Sequence, residues 1–192
     1  KLQNDQNLKL LIIQEMPPKY TNWLFSSMLH FSEYKKYVEE QKKFLKGLKS
    51  KVRDKVIIRL GSSSNIGSNN NFRYYEEGVW KLGKDNFNLE SREIPINVSV
   101  NRSYIVIITQ VSSTTLLECI TSNIPFVIFA NLKKQVVNSY FKKILHQLRK
   151  DQIFFENPNK LSNFLNQKNA SEIQKWWNSK KIQKHIKFLS DN

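Results

Sequence analysis

The sequence predicts an α/β fold, a three-layer α/β/α sandwich around a mostly parallel sheet, on three observations. Short runs of β-branched and aromatic residues, such as Tyr104 to Ile108 and Phe126 to Phe129, are apolar at consecutive rather than alternate positions, as strands buried on both faces are. Between these runs lie segments with apolar residues at helical spacing. No hairpin signal and no internal repeat is present, so the strands are joined by crossovers.

In chain order, Lys1 to Asn7 is a polar lead-in and Leu8 to Ile13 the first buried strand, ended by Pro17-Pro18. The loop Lys19 to Ser27 then stands at the carboxyl end of a strand, where open α/β sheets bind ligands. Lys19 and Tyr20 are therefore candidate cleft residues, with buried packing of Tyr20, Trp23 and Phe25 as the alternative. Phe31, Tyr34, Val38, Gln41, Phe44, Leu45 and Leu48 recur at helical spacing and predict a helix over Ser32 to Leu48. Gly47 and the polar run Lys49 to Asp54 lead into a second strand, Lys55 to Leu60. Arg59 at its carboxyl end either grips a diphosphate in bidentate fashion or makes a structural ion pair. Gly61 to Asn71 has the composition of a flexible loop and is no P-loop, since no G-K-[ST] follows. Phe72 to Lys81 reads as a short helix carrying Tyr74, Tyr75 and Trp80, and a short strand is expected around Ile94 to Val98.

The centre of the chain, Ser103 to Asn131, reads strand, polar turn, helix, strand. Ser112, Ser113, Thr114 and Thr115 open a helix whose Leu116, Leu117 and Ile120 are expected to pack on the sheet. A helix starting at the carboxyl end of a parallel strand presents unpaired N–H groups and the positive end of its dipole to an anion, and the hydroxyls add donors. Glu118, one turn beyond Thr114 on the same face, is placed to accept hydrogen bonds from a ribose or sugar diol. The plainer alternative is that a serine only caps the helix and Glu118 is a solvated acid. Lys133 and Lys134 follow the next strand end and can also face phosphate.

A clear helix follows through Val137, Tyr140, Phe141, Ile144, Leu145 and Leu148, then the short apolar segment Ile153-Phe154. Asn157-Pro158 turns the chain into a small helix with Leu161, Phe164 and Leu165. Ile173, Trp176, Trp177, Ile182, Ile186 and Leu189 give helical spacing over Ser171 to Leu189.

With 31 Lys and Arg against 16 Asp and Glu, the formal charge of +15 attracts anions: nucleotide phosphates, lipid headgroups, acidic glycans or nucleic acid. The lysines are spread over many helices, with Lys142/Lys143 and Lys180/Lys181 as local pairs, instead of forming one stripe with aromatics, so nucleic acid is disfavoured and solvated faces are the plainer reading. The single cysteine, Cys119, allows no disulfide within the chain and reads as a small core residue in a reducing compartment. His30, His146 and His185 have no metal-ligand spacing, so no metal is expected. No apolar run of about 18 residues and no signal peptide is visible, which leads to a cytoplasmic expectation. The 192 residues suit one domain or one large half of a two-domain enzyme, and the start at lysine suggests a fragment.

The hydroxyl cluster, Glu118, and Pro125 leading straight into a strand resemble the donor-binding half of GT-B glycosyltransferases. Over most of its length the chain is similar to a family of transferases linked to surface-carbohydrate and lipopolysaccharide synthesis. The shared blocks are the helix with Glu39, Gln41, Phe44 and Leu45, the strand ending Arg59-Leu60, the turn from Thr109 to Glu118, Asn123 to Pro125, and Trp176-Trp177 before a basic run. It departs from the family after Leu60, where Gly61 to Ile66 replace a tyrosine- and proline-containing segment, and at Gln110-Val111, where the family has Y-N after the threonine.

The resemblance implies that residues 1–192 form a single Rossmann-like nucleotide-sugar-binding domain, the C-terminal half of a GT-B-type fold and a fragment of a longer transferase, with closing helices over 171–190. It implies donor phosphate on Ser112, Ser113, Thr114, Thr115 and Arg59, ribose on Glu118, and a cleft near Lys19, Tyr20, Thr109 and Lys133. The nucleotide sugar is substrate, with no further cofactor. The implied partners are a glycan or lipid-linked acceptor, an N-terminal domain that holds the catalytic base, and the anionic inner face of the cell membrane. The alternatives are a polyol-phosphate transferase of the teichoic-acid type and a non-catalytic anion- or nucleic-acid-binding module.

Overall fold

A computed structural model of the chain describes residues 8–14, 31–60, 80, 87–90, 94–111, 113–134 and 138–191. Five parallel strands, β1 (Lys9–Ile13), β2 (Val56–Arg59), β3 (Ser103–Ile108), β4 (Phe126–Phe129) and β5 (Phe154–Phe155), form one sheet in the order β2-β1-β3-β4-β5. Their side chains alternate between two cores. Leu10, Ile12, Ile105, Ile107, Val127 and Phe129 face one, and Leu11, Val106, Ile108, Phe126 and Ile128 face the other. Helices cover both faces, which is why the strands read as unbroken apolar runs.

Helix α1 (Phe31–Lys46) and the short α2 (Ser50–Arg53) connect β1 to β2. Then come α3 (Ile96–Asn101), α4 (Thr114–Thr121) between β3 and β4, and α5 (Ser139–Lys150) between β4 and β5. The chain closes with α6 (Pro158–Asn166), α7 (Ala170–Trp177) and α8 (Lys180–Asp191). Val38, Phe44 and Leu45 of α1 share the first core with Leu161 and Phe164 of α6, while α4, α5 and α8 fill the second. The β1–β2 crossover through α1 lies on one face and the β3–β4 and β4–β5 crossovers through α4 and α5 on the other, which puts a topological switch point between β1 and β3, and the crevice outside their carboxyl ends is where such sheets take ligands.

Asparagine caps three of the described helices, α5, α6 and α7. Asn138 accepts from the Phe141 N–H at 2.7 Å, and Asn157 accepts from Asn159 and Lys160 at 2.9 and 3.2 Å. Asn169 and Glu172 form a reciprocal capping box on α7. One C-terminal device launches both β4 and β5. Asn123 (φ 50) and Gln152 (φ 62) are left-handed, and the N–H groups after them, of Ile124 and Ile153, reach back to the Cys119 and Leu148 carbonyls, each at 2.9 Å. This is the Schellman arrangement, made here without glycine. Gly47 does answer a packing need, since a Cβ there would lie 2.6 Å from the Ser162 hydroxyl where α6 meets the end of α1.

The sequence-based expectations need correction at several elements. Ile94 to Val98 is not a strand. Pro95 starts α3, its carbonyl accepting from Val98 and Ser99, because proline fixes φ and needs no donor at a helix start. The extended piece lies earlier, at Leu89, which bridges in parallel to Ile58 on the outer edge of β2. Phe154, expected with Ile153 only as a short apolar segment, starts a fifth strand with Phe155, and the closing helical stretch divides into two helices at Asn178-Ser179. Leu117 is 61% exposed, because α4 turns Thr115, Leu116, Cys119 and Ile120 to the sheet and position 117 then falls on the opposite side. Of Phe72 to Lys81 only Trp80 is described, and it is buried. Lys1 to Asn7, Lys19 to Ser27, Gly61 to Asn71 and Ser112 lie outside the described residues.

The Trp176-Trp177 pair serves the core. Trp177 is fully buried, its ring 5.1 Å from that of Phe126, and its indole N–H donates to the Asn123 backbone and side-chain oxygens at 3.1 and 2.9 Å. Asn123 precedes β4, so α7 crosses the amino edge of the sheet, away from the switch point.

Asp151 ties α5 to α8 through Lys181 and through His185 Nε2 at 2.5 Å. Burial by itself would raise the Asp151 carboxyl, but hydrogen bonds from Lys181 and His185, with their charges, more than offset this and hold it below the usual carboxylate range. A lowered folded pKa contributes stability that is complete above the unfolded value of about 3.9 and is lost as pH falls through the folded value. Asp151→Asn is therefore expected to lower Tm at neutral pH, and the gap from the unsubstituted chain to close as melting is followed into acid. A gap independent of pH would show that the ion pairs contribute nothing.

Candidate functional site at the carboxyl edge

The β3–α4 corner is built as a helix start against a buried strand. Ser113 is extended (φ −70, ψ 132) and its hydroxyl accepts from the Thr115 N–H at 3.3 Å, so it caps α4. Its carbonyl accepts from Leu116 at 3.0 Å. Thr115 is turned into the core, while Thr114 is exposed at the helix start. Of the expected hydroxyl cluster, Thr114 thus faces outward, Ser113 caps and Thr115 packs.

Glu118 lies one turn further on, half-buried. Its Oε2 is covered and has no hydrogen-bond partner. Leaving a charged oxygen unpaired and away from water is costly, and a hydroxyl donor brought to it would relieve that cost. Next to it, Cys119 is fully buried, and burial first, then the Glu118 charge, pushes its thiol up to about 12. At neutral pH it stays protonated and unreactive, as a core residue.

Thr109, expected in the cleft, is at the switch point but buried. Its hydroxyl donates to the Ile13 carbonyl at 2.6 Å, so the Tyr37 hydroxyl, 2.5 Å away, donates to it. That links β1, β3 and α1. Lys133 is exposed in a short 3-10 turn (Leu132–Lys134) just past β4, its own N–H held by the Asn131 side chain at 3.1 Å. Lys19, Tyr20 and Ser112 are not among the described residues.

Of the two readings of Arg59, the ion pair is the one its contacts show. Its guanidinium is buried, with Nη1 2.6 Å from Glu90 and 3.2 Å from the Ser99 hydroxyl, an ion pair joining β2, the Leu89 edge segment and α3. Glu90 adjoins Leu89, in a segment for which the sequence predicts no element. A buried arginine already paired with a buried carboxylate is structural first.

Sequence reasoning passed over Gln14 and placed Gln41 in the stripe of the first helix and in the family's shared block without giving it a role. Gln14 directly follows β1, Gln41 sits in the buried stripe of α1, and their side-chain amides are hydrogen bonded to each other. The signal was present: a neutral polar residue interrupting an apolar stripe, and another at a strand end. Among the described residues no group of three His, Cys, Asp or Glu side chains could hold a metal ion, and no helix is long and apolar enough to cross a membrane.

The family model described as "LIC12162 family transferase" matches residues 1–191. No curated protein and no solved structure matches the chain.

Proposed function

The chain belongs to the LIC12162 family of transferases, and from that premise we propose that its β3–α4 corner binds the nucleotide-activated sugar donor of a glycosyl transfer in surface-polysaccharide or lipopolysaccharide assembly. The observation that carries this reading is Glu118 Oε2, a covered carboxylate oxygen without a partner beside an anion-favouring helix start. Phosphate lies at the start of α4 against the exposed Thr114 hydroxyl and the helix N–H groups, with Lys133 as a further positive charge across the edge. Ribose hydroxyls donate to Glu118. As the sugar bond breaks, the same donors stabilise the charge growing on the departing diphosphate. Arg59 supports the β2 edge and takes no phosphate. The acceptor, a glycan or lipid-linked, approaches from the open side of the carboxyl edge, and the base that activates it comes from outside the residues named.

The test is thermal unfolding with a panel of nucleotide sugars, inorganic diphosphate and a single-stranded polynucleotide. A nucleotide sugar at a hundred times its Kd is expected to stabilise by about 2.7 kcal/mol, roughly 5 to 10 °C for a chain of this size. Stabilisation by the polynucleotide alone, falling steeply with salt, would instead identify an anion-binding module.

A further inference from the structure

The carboxyl edge holds a second polar group that the donor-binding reading leaves unused. Gln14 is 5% exposed and Gln41 1%, both on the α1 side of the sheet. Gln14 Nε2 donates to Gln41 Oε1, which leaves Gln14 Oε1 and Gln41 Nε2 covered and without partners. Exchanging nitrogen and oxygen in both amides restores the same bond and again leaves one carbonyl oxygen and one amide nitrogen unpaired, so the conclusion does not depend on which way the amides are assigned. Two hydrocarbon side chains in these places would satisfy the core better, because buried polar atoms without partners destabilise a fold. A pair that bears this cost is ready to meet an outside group that offers a donor and an acceptor together.

Resting on the donor-binding reading, we propose that the Gln14–Gln41 pair recognises the hydrogen-bonding edge of the donor's nucleobase. The chemistry favours a base over the sugar or phosphate. A base edge is planar and neutral and sets donor beside acceptor, the pattern that side-chain amides read. The position agrees. Gln14 follows the residue whose carbonyl is bonded to Thr109, the exit of β3. Adjacent strands lie about 4.8 Å apart, so a nucleotide with its phosphate on α4 and its base directed toward β1 crosses that distance. Tyr37, in the same layer, adds an aromatic ring near the crossing. The terminal torsions of both glutamines are soft, so the amides can rotate toward the edge.

The experiment compares Gln14→Leu/Gln41→Leu with the unsubstituted chain. Binding of the four common nucleoside diphosphates and of ribose 5-phosphate, which has no base, is measured by calorimetry, and unfolding is followed without ligand. The unsubstituted chain is expected to prefer one base. The double variant should be at least as stable, bind ribose 5-phosphate equally well, and lose the base preference by tenfold or more. Gln41→Met alone, close in length, gives the same readout if the double variant fails to fold. A base preference that survives in a folded variant, or none in the unsubstituted chain, overturns this inference and leaves the donor site standing. If neither nucleotides nor ribose 5-phosphate bind, both proposals fall.

Discussion

Glu118→Ala is expected to weaken nucleotide-sugar binding by roughly ten- to a hundredfold, the equivalent of one hydrogen bond to a charged group at about 1.5–3 kcal/mol. Unfolding of the ligand-free chain should hardly change. The substitution removes a covered carboxylate oxygen that has no hydrogen-bond partner, so no hydrogen bond of that oxygen is lost and its desolvation cost goes too. Glu118→Gln keeps the shape and an acceptor but not the charge, and its loss should fall between the two. Binding of inorganic diphosphate, which has no ribose, should be untouched or slightly stronger once the negative charge beside the helix start is gone. This pattern separates a ribose ligand from a structural acid. A structural Glu118 would lower Tm in the ligand-free chain and weaken all ligands alike, and that outcome would remove the main support for the donor site.

Trp177→Ala should produce the largest loss of stability. Truncating a fully buried aromatic costs about 3–5 kcal/mol. In a chain of this length that lowers Tm by roughly 6 to 20 °C. The cavity would open between α7 and β4, where the indole packs on Phe126 and holds Asn123. Trp177→Phe retains most of the packing and loses only the N–H. Because Asn123 is exposed, its freed oxygens turn to water, and the cost should be about 1 kcal/mol. A small effect of the alanine variant on Tm, with a large effect on acceptor-dependent turnover, would place the tryptophan pair at an interface with another domain instead of in the core.

The two substitutions probe opposite edges of one sheet, and the contrast follows from its topology. The carboxyl edge gathers Gln14, Thr109, Ser113 and Glu118, which combine caps, clamps and unpaired polar atoms. The amino edge is closed by α7 and the Asn123 turn, where the polar atoms of Trp177 and Gln183 are matched to Asn123. The unpaired atoms of Gln14, Gln41 and Glu118 near the carboxyl edge, against the matched ones around Asn123, agree with a ligand crevice on the carboxyl side.

The strands were legible because a two-faced parallel sheet leaves an unbroken apolar run, a local pattern that no distant residue alters. β1, β3 and β4 fall within a residue or so of their expected bounds, and α4 begins at Thr114 as its cap residues indicate. The helix at Ile96 was misread because Ile, Val and Ile around a proline carry strand propensity, and only packing of Val100 into the second core decides for helix. β5 is not legible as a strand because it is only two residues, Phe154 and Phe155, too short a run to show a strand pattern.

By itself the sequence determined the layered α/β class, the polar turn into α4 and the inert place of Cys119, all consequences of short-range pattern and composition. Which carboxylate meets Arg59, which hydroxyls face outward at the helix start, and that Gln14 finds Gln41 across the gap from strand to helix were decided only in three dimensions. A side chain's partner depends on where the sheet order brings distant segments together, and no local period encodes that order.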